Sequence, residues 1–103
     1  YIRSSDSFLG LPWNIAYASL MVYLLCNLEG IDLQPGELLI NTCDQHIYLN
    51  HIDAIKQQLT RTPKAFPKLE ILRKVNKIED FEWKDVVLKD YDPMPNIKAD
   101  MAI

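Results

Sequence analysis

Residues 9–28 read LGLPWNIAYASLMVYLLCNL, and the way this stretch is read decides the fold. Leu9-Gly10-Leu11-Pro12 has the character of a turn, and its proline suits the first turn of a helix. The spacing predicts a helix over residues 13–28 that is apolar on nearly every face, which implies burial all round. A membrane span is the competing reading. Asn14, Tyr17, Ser19, Tyr23 and Asn27 inside the run, with few flanking cations, argue against it. A chain of 103 residues can scarcely surround such a helix. The residues are therefore expected to belong to something larger, either a longer polypeptide or an assembly.

Outward from the helix, residues 1–8 read as the end of a strand or a loop. Gly30, Pro35 and Gly36 mark a loop, and Glu37-Leu38-Leu39-Ile40-Asn41 reads as a strand that ends at the polar turn Thr42-Cys43-Asp44. Asp44 can cap a second helix in which Tyr48, Ile52, Ile55 and Leu59 recur at helical spacing until Thr62-Pro63 stops it. Residues 68–73 alternate as a strand does, residues 78–83 suit a short turn or helix, and Val86-Val87-Leu88 reads as another strand. The tail from Tyr91 is proline-rich and irregular. The expected class is α+β: one domain segment over residues 1–103, with a long buried helix and a second helix packed on a mixed β-sheet.

Composition excludes several classes. The chain has 49% hydrophobic and 24% charged residues, 3 Gly, 6 Pro and 2 Cys, which rules out disordered, collagen-like and disulfide-scaffold proteins. With 11 basic and 14 acidic side chains, the net charge of −3 gives no general attraction to DNA or an anionic membrane. Any anion site is therefore local. Residues 1–51 hold a single basic side chain, Arg3, against five acidic ones. Cys26 and Cys43 lie in unlike contexts and no Cys/His cluster frames a metal site, so a reduced, cytoplasmic, metal-free chain is expected. The first residue is Tyr and no signal peptide follows, so a cut or processed start is expected.

Three clusters could carry chemistry, each with a structural alternative. Arg3-Ser4-Ser5-Asp6 places a guanidinium, two hydroxyls and a carboxylate at a strand end, an arrangement that suits an oxyanion such as phosphate. A surface arginine or an ion pair would use the same residues. Asn14, in the first turn of an apolar helix, would have a buried amide in need of partners, and an amide offers donor and acceptor to a planar base. Its alternative is an internal cap. His46-Ile47-Tyr48, at the start of the second helix, sets an imidazole and a phenol within reach of sugar hydroxyls, or else a helix-start histidine beside a core tyrosine. His51, one turn on, reads as structural or exposed rather than catalytic.

These clusters, in this order, resemble the C-terminal part of the thymidylate synthase family. The resemblance is carried by Arg3-Ser4-Ser5-Asp6, Phe8-Leu9-Gly10-Leu11-Pro12-Trp13-Asn14-Ile15-Ala16, Asp44-Gln45-His46-Ile47-Tyr48-Leu49-Asn50-His51, Phe66-Pro67-Lys68-Leu69, Tyr91-Asp92-Pro93 and Ile97-Lys98-Ala99-Asp100-Met101-Ala102-Ile103. It covers essentially the entire chain.

The resemblance implies one part of an enzyme that methylates dUMP to dTMP with 5,10-methylenetetrahydrofolate as one-carbon donor and reductant, without a metal. It implies catalytic roles for Arg3, Asp6 and Asn14. The dUMP contacts would be Arg3, Ser4, Ser5, Asp6, Asn14, His46, Ile47 and Tyr48, and the folate contacts Asp6, Gly10, Trp13 and Ala102. The terminal carboxylate of Ile103 would close over the folate. The family nucleophile, a cysteine in a Pro-Cys-His segment ahead of the arginine, has no counterpart here, so this chain alone is expected to be inactive. The implied partners are dUMP, reduced folate and the N-terminal half of the enzyme, in the same or a separate chain. The complete enzyme would be a homodimer. Thr42-Cys43 stands where the family has Gly-Gly, which removes backbone freedom beside His46. Together with Ile2, Trp13 and Tyr17-Ala18-Ser19, which also depart from the family pattern, it leaves open a pyrimidine-nucleotide hydroxymethylase segment; a non-catalytic nucleotide-binding subunit is a further alternative.

Overall fold

The computed structural model describes residues 1–102, and the expected closing role of the Ile103 carboxylate lies outside them. The order of elements is β1 (Ile2–Asp6), α1 (Gly10–Cys26), β2 (Thr42–His46), α2 (Ile52–Leu59), β3 (Lys68–Ile71) and β4 (Val86–Lys89), with short 3-10 turns before α2 and before β4. The α+β expectation holds. The strands form two two-stranded sheets, one parallel (β1 with β2) and one antiparallel (β3 with β4).

The chain divides into two units. The first combines Tyr1–Ala16, Leu39–Lys64 and the tail from Pro93. It contains β1, the start of α1, β2 and α2. In the parallel pair Ser4 lies opposite Asp44 and Asp6 opposite His46. Its ends are closed by the Ile2 N–H donating to the Asn41 carbonyl (2.8 Å) and the Ser7 N–H donating to the His46 carbonyl (2.9 Å).

Helix α1 begins where it does because Asp6 makes it begin there. The first amides of a helix have no partner within the helix. Asp6 Oδ1 accepts the Phe8 N–H (3.0 Å), and Oδ2 accepts the N–H groups of Leu9 and Gly10 (3.2 Å each). A Cβ on residue 10 would come within 3.3 Å of the Asp6 Cβ, tighter than most packed carbons, so glycine lets the cap sit this close without a shift. Pro12 lies in the first turn, where its missing N–H costs nothing.

The second unit comprises Tyr17–Leu38 and Ala65–Asp92. There α1 ends at Cys26, the Asn27 Nδ2 donating to the Tyr23 carbonyl (2.9 Å), and Gly30 takes the turn at φ 76° that glycine adopts without strain. Leu28 and Val75 form a parallel bridge. Val75, 3% exposed, is the one buried hydrophobic side chain among the described residues. Beside β4, the buried Asp85 receives the Arg73 guanidinium (2.8 Å) and the Glu82 N–H (2.8 Å). Both bonds hold its carboxyl below the usual range, the arginine first.

Four expectations are corrected. The strand expected over residues 37–41 is irregular, and the strand is Thr42–His46 instead, because these residues find the edge of β1 despite their polarity. The second helix starts at Ile52, not at Asp44: residues 44–46 are committed to the sheet and Tyr48 has extended backbone (φ −70°, ψ 145°). No residue of α1 is buried within this chain, although the sequence implied burial all round. Asn14, expected to be buried, is exposed for the same reason. No helix of the described residues is long and apolar enough to cross a membrane.

Partial burial pushes the Asp6 carboxyl up, but the three amides and the neighbouring His51 outweigh it and hold it below its ordinary value. A lowered folded-state value means the contribution is present above the ordinary carboxylate range and disappears as pH falls through the folded value. Asp6→Ala is expected to cost about 1 kcal/mol at neutral pH, the usual scale of a lost helix cap. Thermal melts of the full-length protein check this. The difference from wild type should narrow in strong acid, and an undiminished difference there would refute the charged cap.

Candidate functional site

All the site residues expected from the sequence, Arg3, Ser4, Ser5, Asp6, Gly10, Trp13, Asn14, His46, Ile47, Tyr48 and Ala102, fall within the first unit. Its organising feature is the parallel pair. Asp6 and His46 stand side by side in register at the carboxyl ends of β1 and β2, where parallel strands leave room for ligands. Beyond Asp6 the chain turns directly into the N-terminus of α1, which carries partial positive charge.

On β1, Arg3 and Ser4 are exposed and Ser5 is 1% exposed, its hydroxyl without a hydrogen-bond partner. An exposed guanidinium on a strand suits two-point contact with an oxyanion. On α1, Asn14 presents its amide to solvent, and Trp13 is 77% exposed. Trp13, Phe8, Gln58, Arg61, Met94 and Ile97 line a cleft of about 260 Å³ in which the indole offers a flat apolar wall.

His46, Ile47 and Tyr48 do not begin a helix, as the sequence suggested, but form the end of β2 and the extended link after it. The reason is again the pairing with β1, which holds His46 extended opposite Asp6. The His46 Nδ1 lies 3.2 Å from the Asp44 carbonyl and 3.8 Å from the Asp44 carboxylate. Its ring meets Tyr48 edge-on at 5.0 Å between centroids. Ala102 is half-buried.

One residue that sequence reasoning set aside stands at the middle of this unit. His51 is fully buried, between the rings of Phe8 (5.5 Å) and Tyr48 (5.7 Å). Its Nε2 lies 2.7 Å from the Asp100 carbonyl and its Nδ1 lies 3.6 Å from Asp6 Oδ1. Helical spacing did not mark it, because Tyr48 lies outside the helix with extended backbone and Ile52 and Leu59, on the same stripe, are exposed. Arg61 and Gln58, on the cleft wall, were not marked either.

The two cysteines lie in different units. Cys26 closes α1 in the second unit, and Cys43, on β2, accepts a hydrogen bond from the Tyr1 hydroxyl (3.0 Å). Among the described residues, no three His, Cys, Asp or Glu side chains gather where they could hold a metal ion.

Comparison with known proteins gives the same direction throughout. The family model described as thymidylate synthase matches residues 1–103. The chain is similar to the thymidylate synthase of Homo sapiens, 48% identical over 103 residues, which is all of this chain and 32% of that protein. It is 47% identical to the enzyme of Herpesvirus ateles, covering 35% of it, and 48% identical to that of Pseudomonas fluorescens (strain SBW25), covering 36%. The chain thus spans about a third of the length of the curated relatives it matches. A match of this extent and identity, on a parallel strand pair that leads into a capped helix, makes this chain a member of the thymidylate synthase family.

Proposed function

We propose that residues 1–103 supply the dUMP- and folate-contacting segment of a thymidylate synthase, which methylates dUMP to dTMP with 5,10-methylenetetrahydrofolate. The observation that carries this reading is the register of Asp6 beside His46 at the carboxyl ends of the parallel pair, with Arg3 on one strand and Asn14 in the helix that follows it.

Substitution at C5 of a uracil needs a thiolate to add at C6, stabilisation of charge on the pyrimidine carbonyl, and a dry cavity. In this reading Arg3 holds the nucleotide phosphate and favours the nearby thiolate by its charge, and the exposed Ser4 adds a hydroxyl contact, whereas Ser5, expected at the same site, turns its side chain into the protein. Asn14 pairs with the uracil edge and stabilises the charge that develops there. His46, Ile47 and Tyr48 hold the ribose. The thiol comes from outside these residues, from a preceding part of a longer polypeptide or from a second chain, so residues 1–103 alone give no turnover. A homodimer is the proposed assembly and the cytoplasm the proposed location.

The folate fits what this segment offers. The cosubstrate is flat and largely aromatic, and the exposed indole of Trp13, on the wall of an open cleft, offers it a face to stack on. In this reading Asp6 binds the folate ring, Gly10 and Trp13 shape the wall beside it, and Ala102 closes over the folate and excludes water. When bound, the folate supplies the one-carbon unit and the hydride.

Two substitutions in the full-length enzyme test the assignments. Arg3→Lys retains charge but loses the planar two-point contact, and should weaken dUMP by about 1 kcal/mol or more, roughly fivefold in affinity. Isothermal titration with dUMP measures it, and an unchanged affinity would remove Arg3 from the phosphate site. Asn14→Asp should move preference from dUMP toward dCMP, because a carboxyl replaces the donor–acceptor pattern that suits uracil. Competition between the two nucleotides reads this directly. An unaltered ratio would show that Asn14 does not face the base, and a hydroxymethylated product in the same assay would replace methyl transfer by hydroxymethyl transfer.

A further inference from the structure

We propose that His51, together with Asn50, is a positioning residue that ties the C-terminal tail to the corner between β1 and α1 and so sets where Ala102 can reach. The proposal rests on the reading of Asp6 and Ala102 as folate contacts, and it assigns to His51 a role that the resemblance does not.

Residues 91–102 have no regular secondary structure, so their carbonyls have no ladder to occupy. One of them is gripped twice. The Asp100 carbonyl accepts a hydrogen bond from the His51 Nε2–H at 2.7 Å and another from the Asn50 Nδ2–H at 3.1 Å, so both of its lone pairs are engaged. A carbonyl can only accept, which fixes the hydrogen of His51 on Nε2. The two donors are adjacent in sequence and about fifty positions from the residue they hold, so the tie is tertiary and not local. Ala102 lies two residues beyond Asp100 and is confined to within about 7 Å of the fixed point by chain length alone.

The other side of the ring explains why the tie reaches the site. Phe8 and Tyr48 pack against His51 and leave it no exposed surface, and Nδ1 faces the Asp6 carboxylate at 3.6 Å with no hydrogen-bond partner of its own. A buried polar atom without a partner is costly, and a residue serving only to fill space would avoid it. With its hydrogen on Nε2 the imidazole donates to the tail carbonyl, while its opposite edge lies 3.6 Å from the carboxylate that caps α1, so the ring stands between the tail and the corner. An apolar side chain of similar volume would lose the bond to the tail.

The test uses the full-length enzyme and three variants. In His51→Asn the shorter amide can still face Asp6 but no longer spans to Asp100, whereas His51→Gln restores a donor at the Nε2 position, and Asn50→Ala removes the second donor. His51→Asn is expected to raise KM for the folate at least fivefold and to lower kcat, while the Kd for dUMP stays within twofold. His51→Gln should recover most of the folate KM, and Asn50→Ala should fall between. Amide hydrogen exchange at residues 98–102 should quicken in His51→Asn and not in His51→Gln, a readout independent of turnover. An unchanged folate KM together with unchanged exchange in His51→Asn would overturn the proposal. So would equal weakening of dUMP and folate with no rescue by glutamine, which is the mark of a purely structural residue. Wild-type protein that binds no dUMP and makes no dTMP would overturn the proposed function instead, and the exchange measurement would still decide the tie.

Discussion

Three backbone amides converge on the carboxylate of Asp6, and the arrangement of the first unit depends on that contact. A helix that begins directly after a strand needs something to accept its first N–H groups. Without a local acceptor, water would have to serve and the turn at residues 7–9 would be free to open. Because Asp6 also ends β1, the same side chain joins strand and helix through one rigid corner. A Cβ at residue 10 would lie a tight 3.3 Å from the Asp6 Cβ, which glycine avoids, and the Asp6 Oδ1 lies 3.6 Å from the buried His51. A carboxylate held by three amides has little freedom to rotate.

The helix that follows has an opposite character. Along its length α1 is apolar, yet none of its residues is buried within this chain, and Trp13, Tyr17 and Leu25 are openly exposed. Apolar surface left in water forfeits about 25 cal/mol for each Å² that burial would remove. Such a helix gains stability only when its faces are covered, in keeping with a chain that spans about a third of its relatives. The polar parts of the first unit are organised locally and its apolar parts are not. That contrast is why residues 1–103 can display candidate ligand contacts without enclosing them.

Much of the fold was legible. Alternation over residues 68–73 marked β3, the run Val86-Val87-Leu88 marked β4, the apolar run marked α1, and the recurrence that continues to Leu59 marked α2. β2 was misplaced by a few residues for a specific reason. Thr42-Cys43-Asp44-Gln45-His46 has no apolar alternation and looks like a turn, while Leu38-Leu39-Ile40 looks like a strand. Backbone hydrogen bonds to β1, which are blind to side-chain polarity, overrode that local preference. The start of α2 moved for the same reason, since residues paired in a sheet cannot also cap a helix.

The candidate site shows the same division. Residue types and order, from Arg3-Ser4-Ser5-Asp6 to His46-Ile47-Tyr48, identified the family and nominated the contacts, because chemical function is written in side chains. What the tertiary structure alone decided was which of them meet. Asp6 beside His46 depends on parallel register, and His51 between Asp6 and Asp100 depends on a fold that brings together segments about fifty positions apart. The sequence by itself determined the family, the class and the chemistry on offer. The exposure of Asn14, the burial of His51 and the double grip on the tail were decided only in three dimensions, because burial and long-range hydrogen bonds belong to the packed chain and to no local stretch of it.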